Sequence, residues 1–228
     1  LRSRGLGDVY KRQVCKQHIY VTGSPMKEVI NAHREEIDKS DVLSRLGLEK
    51  KKYIILSAHR EENIDILQNF EKLVNSINQL AETYNIPVIY SMHPRSEKYI
   101  KERNVIFHNF VRPMPPFCFT EYSALMKNAF CVVSDSGTMP EEAAIGHFPA
   151  VCIRTSTERP EALDKGDFVI GGIGENEVLQ AVDMVTKMAG AGDFGAKVPD
   201  YEVDNVSSVV VRVIQSYTKI INETVWRK

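Results

Sequence analysis

From residue 14 onward, short apolar runs alternate with amphipathic stretches, and this alternation most restricts what the chain can fold into. Runs at 18–21, 53–57, 87–91, 105–107, 130–134, 150–153 and 168–170 are rich in Ile, Val, Tyr and Phe. Several lack in–out alternation, the pattern of strands covered on both faces of a parallel sheet. The stretch 64–84 places Phe70, Leu73, Val74, Ile77 and Leu80 on one stripe with a 3.6-residue period. Stretches 121–129, 140–146, 175–188 and 205–221 behave alike, and the last gathers Val206, Val209, Val210, Val213, Ile214, Tyr217 and Ile221 on a broad apolar face. Strand–helix alternation of this kind predicts a doubly wound, Rossmann-like α/β parallel sheet with right-handed crossovers. Ligands of such sheets sit beyond the carboxyl ends of the strands, in the loops that lead into helices.

Residues 1–13 (LRSRGLGDVYKRQ) follow neither period and look like a sequence-assembly or cloning junction, so the domain is expected over 14–228. No Gly/Ser linker, repeat or low-complexity tract divides it. A length of 228 residues suffices for one well-buried domain, and 43% hydrophobic with 26% charged residues is ordinary globular composition. A net charge of −1 gives no basic field for nucleic acid and no polybasic tract for a membrane surface. Apolar runs are far too short to span a bilayer, and no signal-like start is present, so a cytoplasmic enzyme is expected. Cys15, Cys118, Cys131 and Cys152 lack CxxC spacing and read as buried thiols rather than a zinc site or disulfides.

Three strand ends carry unusual polar chemistry. SAHREEN (57–63) sets an imidazole at His59, a guanidinium at Arg60 and two carboxylates just before a helix. Histidine exchanges protons or donates to phosphate, and the adjacent arginine suits an anionic oxygen. The plainer account is a solvated helix entry, with Glu61 and Glu62 complementing the helix dipole. SDSGTMPEE (134–142) puts Ser136, Gly137 and Thr138 before a helix opened by Pro140. Free N–H groups and the helix dipole make an anion seat there, and glycine lets a phosphate approach closely. Glu142, one turn later, suits sugar hydroxyls, although a capped helix with a structural glutamate fits as well. RTSTERPE (154–161) packs two arginines and two carboxylates together. Arg159 could reach an anionic ligand while Glu158 or Glu161 holds the other arginine, or the group could be a surface ion-pair network. His93-Pro94-Arg95 ends another strand, and Tyr122 reads either as a core aromatic or as a platform for a base.

Taken together, SAHREENI, SMHPR, VVSDSGTMPEEAA and RTSTERPEALDKGDFVIGG stand in the order and spacing of the UDP-N-acetylglucosamine 2-epimerase family, which the chain resembles from about residue 19 to its end. VTGSPMKEVI (21–30) is similar to the family's interdomain segment. The SPM start, HREENID and the closing ETVWRK look closest to the capsule and O-antigen branch that forms UDP-N-acetyl-L-fucosamine. The resemblance implies the carboxy-terminal, UDP-binding half of a glycosyltransferase-B type two-domain fold. The amino-terminal domain, with the family's carboxylates that act on carbon 2, would be absent, and this fragment alone inactive.

By motif position the resemblance implies that His59 is the active-site histidine near the diphosphate, with Arg60 beside it. Ser136 and Gly137 would cradle phosphate, Glu142 bind ribose hydroxyls, Arg159 contact the nucleotide and Tyr122 stack on uracil. Thr138 stands where many members have a second glycine. The implied reaction is 2-epimerisation of a UDP-N-acetylhexosamine by elimination and re-addition of UDP, supplying bacterial surface polysaccharide precursors. The sequence has no GxGxxG fingerprint and no metal-ligand cluster, so no cofactor is expected. The partner is a UDP-sugar, and a homodimer is an expectation for the full-length protein. Rival readings are a glycosyltransferase-B donor domain and a fragment that binds UDP without activity.

Overall fold

Six short strands pair side by side, all parallel: β1 (Ile54–Ser57), β2 (Val88–Ser91), β3 (Val111–Met114), β4 (Cys131–Ser134), β5 (Ala150–Cys152) and β6 (Val169–Ile170). They belong to a computed structural model that describes residues 19–227. The junction at 1–13, Cys15 and His18 lie outside the described residues. The strand order is β3-β2-β1-β4-β5-β6, so the chain first winds outward from β1, then crosses back and winds the other way. The doubly wound parallel sheet expected from the alternation is present.

Both faces of the sheet are covered, which is why its central strands read as unbroken apolar runs. On one face Ile55, Ile89, Val132, Ala150 and Cys152 pack with Tyr53, Leu125 and Ala143. These last two come from α7 (Phe119–Asn128) and α8 (Met139–Gly146). On the other face Ile54, Leu56, Val88, Tyr90, Cys131, Val133 and Val151 meet α5 (Leu67–Tyr84) and α10 (Glu175–Gly190). The predicted stripe on α5 is the buried one: Phe70, Leu73, Ile77 and Leu80 are each at most 2% exposed. That helix starts later than expected, because Ile66 is extended and separates it from the single turn α4 (Glu61–Ile64). It ends at Asn85 in the left-handed conformation, a common helix stop.

Two predicted strands are corrected. Residues 105–107 form no strand; Val105 and Phe107 pack, partly buried, against the core on the α5 face while Ile106 is 85% exposed, and β3 lies a few residues later. β3 contains Arg112 and Pro113, which tertiary context tolerates because it is an edge strand. Residues 19–21 are not a strand either. They lead into a strap in which Ser24 N–H donates to the Asp200 carbonyl at 2.8 Å. Gly23, at φ +89°, passes so close to Asp200 that a Cβ would meet its carbonyl at 3.0 Å. Of the cysteines, Cys131 and Cys152 are buried, but Cys118 is exposed in front of α7, contrary to expectation.

Among the described residues the remaining α-helices are α1 (Met26–Ala32), α2 (Arg34–Asp38), α3 (Val42–Arg45), α6 (Pro94–Glu102), α9 (Pro160–Leu163) and α11 (Val206–Ile221). Of the apolar face predicted on α11 only Val206 is buried; Val210, Ile214, Tyr217 and Ile221 are exposed. Glu28 of α1 holds its start by accepting from Ser207 N–H and Oγ, both at 2.9 Å. Among the described residues no helix is long and apolar enough to cross a membrane.

Candidate active site at the carboxyl ends of the strands

The winding reverses between β1 and β4, and a doubly wound sheet opens its ligand crevice at such a reversal. Ser57 and Ser134 end these strands side by side in register. The loop after β1 carries His59 and Arg60; the loop after β4 carries Asp135, Ser136, Gly137 and Thr138.

One carboxylate ties the two loops together. Asp135 is wholly buried. Its Oδ2 accepts from His59 N–H at 2.9 Å, Arg60 N–H at 2.8 Å and Asn63 Nδ2 at 3.0 Å. Its Oδ1 lies 3.1 Å from His59 Nδ1. Arg60 Nε in turn donates to the Asp135 carbonyl at 3.1 Å. A Cβ on Gly137 would come within 3.2 Å of Arg60 Nη2, so glycine keeps the space in front of that guanidinium open.

Beyond the glycine, Ser136 Oγ and Thr138 Oγ1 lie 3.0 Å apart, and Thr138 Oγ1 donates to Glu142 Oε2 at 3.5 Å. Thr138 makes no side-chain cap on α8; Pro140 has no N–H, and the Glu141 and Glu142 N–H groups both donate to the Thr138 carbonyl at 3.0 Å. Burial pushes the Glu142 carboxyl up to about 7. The Tyr122 hydroxyl lies against Ser57 and Ser134, beside Glu142, and burial raises its pKa too. His93 caps α6 by accepting from Arg95 N–H, and its ring centroid is 6.0 Å from that of His59. His59, Arg60, Tyr122, Ser136, Gly137, Thr138 and Glu142 therefore share one end of the sheet.

Arg159 stands apart from them. Its Nε donates to Glu141, the helix neighbour of Glu142, and Ser24 Oγ donates to the same buried carboxylate. Arg159 lines a separate cavity of about 340 Å³ with residues 20–25, Glu161 and Asp200. Glu158 holds the other arginine: Arg154, 5% exposed at its side chain, grips it through two bonds of 2.6 and 2.7 Å. That hydrogen bonding draws the Glu158 carboxyl down to about 2. Glu158 also sits 3.7 Å from Arg60 Nη2, which connects the third loop to the first.

Asp135, Asn63 and Glu141 were not singled out by sequence reasoning. Asp135 offered one signal, since a carboxylate inside an anion seat needs donors of its own. Among the described residues, no three His, Cys, Asp or Glu side chains are gathered as metal ligands.

Residues 7–215 match the family model described as UDP-N-acetylglucosamine 2-epimerase. The chain belongs to that family. It is 29% identical over 187 residues to the UDP-N-acetylglucosamine 2-epimerase of Methanococcus maripaludis, covering 79% of this chain and 51% of that one. A solved UDP-N-acetylglucosamine 2-epimerase from Rickettsia bellii superposes with TM-score 0.80 at 37% identity, covering 91% of this chain and 56% of the other. The Methanocaldococcus jannaschii UDP-GlcNAc 2-epimerase, solved in complex with UDP-GlcNAc and UDP, gives 0.82 at 25% identity, covering 92% and 58%. The chain spans about half the length of the curated relatives it matches.

Proposed function

We propose that this chain is the UDP-gripping part of a UDP-N-acetylhexosamine 2-epimerase, and that the crevice over the β1–β4 reversal is where the nucleotide sits. The observation that carries the reading is the union, through Asp135, of a cationic loop with an anion seat that has a carboxyl group one helical turn on. A diphosphate fits the Ser136–Thr138 turn and the positive end of the α8 dipole, with Arg60 and His59 above it. Glu142 suits the ribose hydroxyls and Tyr122 the base. That a relative binds UDP-GlcNAc and UDP supports this choice of ligand. Arg159 would reach the ligand only if its bond to Glu141 is rearranged.

In this reading the C1–O bond of the sugar breaks, its electron pair stays on the diphosphate, and the carbon 2 proton passes to a base. UDP then re-adds after a proton returns on the other face. Donors fixed on the developing diphosphate charge contribute roughly 2.7–4 kcal/mol each in such sites. The base belongs to residues outside this chain, which accords with the greater length of the relatives, so the chain alone binds UDP but does not epimerise. The sugar is an N-acetylhexosamine, and the 6-deoxy, L-fucosamine-forming reaction for surface polysaccharide is our choice among them on the HREENID and ETVWRK motifs.

Calorimetry of the chain with UDP and with uridine tests the binding part. UDP should bind with a dissociation constant on the order of 0.1–1 mM and at least tenfold more tightly than uridine. Equal affinities, or no UDP uptake at several millimolar, would refute the assignment. Carbon 2 exchange in deuterated water by the full-length parent, followed by NMR for each UDP-hexosamine, tests the reaction and the sugar.

A further inference from the structure

We propose that Asp135 is a positioning residue for His59: its carboxylate accepts the Nδ1 proton, fixes the ring, and leaves Nε2 as the nitrogen offered to the departing diphosphate. This deepens the proposed function and rests on the reading of His59 as a diphosphate neighbour.

The geometry argues for it in three steps. Asp135 has no exposed surface, so its charge must be met by fixed donors, and backbone N–H groups of His59 and Arg60 with Asn63 Nδ2 supply them. These bonds hold the carboxylate and the His59 backbone in one rigid unit. Against that unit the Nδ1 edge of the ring turns inward at 3.1 Å from Oδ1, while the side chain as a whole stays 41% exposed. The nitrogen across the ring, Nε2, is then the one on the open side. A carboxylate on Nδ1 fixes the tautomer and favours the charged ring, in which Nε2 carries a proton for the oxygen that keeps the C1–O electron pair.

The charges around the ring act in both directions. Asp135 raises the His59 pKa through its hydrogen bond, while burial and the Arg60 charge oppose it. His93 is the other titratable group close to the ring, and Tyr90, Tyr122 and Cys152 also feel Asp135. The net direction is upward.

Histidine-labelled chain, studied without ligand by long-range proton–nitrogen NMR, tests this, with His59→Gln assigning the signal among the six histidines. The neutral wild-type ring should carry its proton on Nδ1 and titrate above the ordinary value of about 6.5. In Asp135→Asn the midpoint should fall by about one pH unit or more, with the Nε2–H tautomer gaining population. His93→Gln should leave the tautomer unchanged. A wild-type ring protonated on Nε2, or a folded Asp135→Asn chain with the wild-type midpoint, overturns the proposal. If Asp135→Asn does not fold, the wild-type tautomer alone decides. Because no nucleotide is present, failure here is separate from failure to bind UDP.

Discussion

Asp135→Ala should lower the unfolding free energy by about 3–5 kcal/mol, the cost typical of breaking a buried charge pair from one side. Three N–H groups converge on this carboxylate, two backbone amides and the Asn63 amide, and His59 Nδ1 lies 3.1 Å from it. Alanine leaves them without an acceptor, at roughly 1–3 kcal/mol for each donor that stays buried. The total falls short of a simple sum for two reasons. Asn63 keeps its second bond, to the Ile153 carbonyl at 3.0 Å, and water can reach the His59 side. Against a typical stability of about 5–15 kcal/mol this is a large fraction. Urea unfolding reads it as a shift of midpoint at unchanged slope. A loss under about 1 kcal/mol would mean that the loops are held by something other than Asp135.

Glu142→Gln should remove a pH dependence of stability confined to mildly acidic and neutral solution. Burial raises the Glu142 carboxyl from 4.5 to about 7 in the folded chain. Between those values the native state holds a proton that the unfolded state has released, so stability falls as pH rises across the window and is level above it. At pH 8 the variant should therefore be more stable than the wild type, by at most about 3 kcal/mol, and equal to it near pH 4. The same proton affects the ligand. A neutral Glu142 does not repel a diphosphate, whereas a carboxylate does, so UDP uptake should weaken from pH 6 to pH 8. The glutamine variant should retain only the shallower part of that trend, which belongs to His59. His59 acts in the same direction, since its pKa is raised and the favourable charge is lost as pH climbs through it. Identical pH profiles for the two proteins, in unfolding and in calorimetry, would contradict the burial of this carboxyl.

The sheet was legible because its central strands are buried on both faces and so must be apolar throughout. Where that pressure lapses, the reading erred. Val111–Met114 pairs at the sheet's edge with Arg112 and Pro113 in it, while the more strand-like 105–107 only packs against one face of the core. The α11 face was real as a pattern, but periodicity reports amphipathicity and not what covers it, and here most of it is open. Most of the site was readable from residue types at strand ends, because anion seats need glycine, hydroxyls and a helix start in a fixed order. The partnering was readable only in part. A carboxylate of TERPE was expected to hold Arg154, and Glu158 does, but nothing in that segment indicates that Arg159 is held by Glu141, which comes from α8.

The carboxylate shared by two loops joins residues 75 and 76 positions apart in the chain. The amides of His59 and Arg60 lie outside any strand, yet neither can be released without parting the β1 and β4 ends. They should therefore exchange with deuterium on the slow timescale of the sheet's interior rather than that of surface turns. A crevice built this way is assembled late, when the long-range pairing closes, and arrives already stiff.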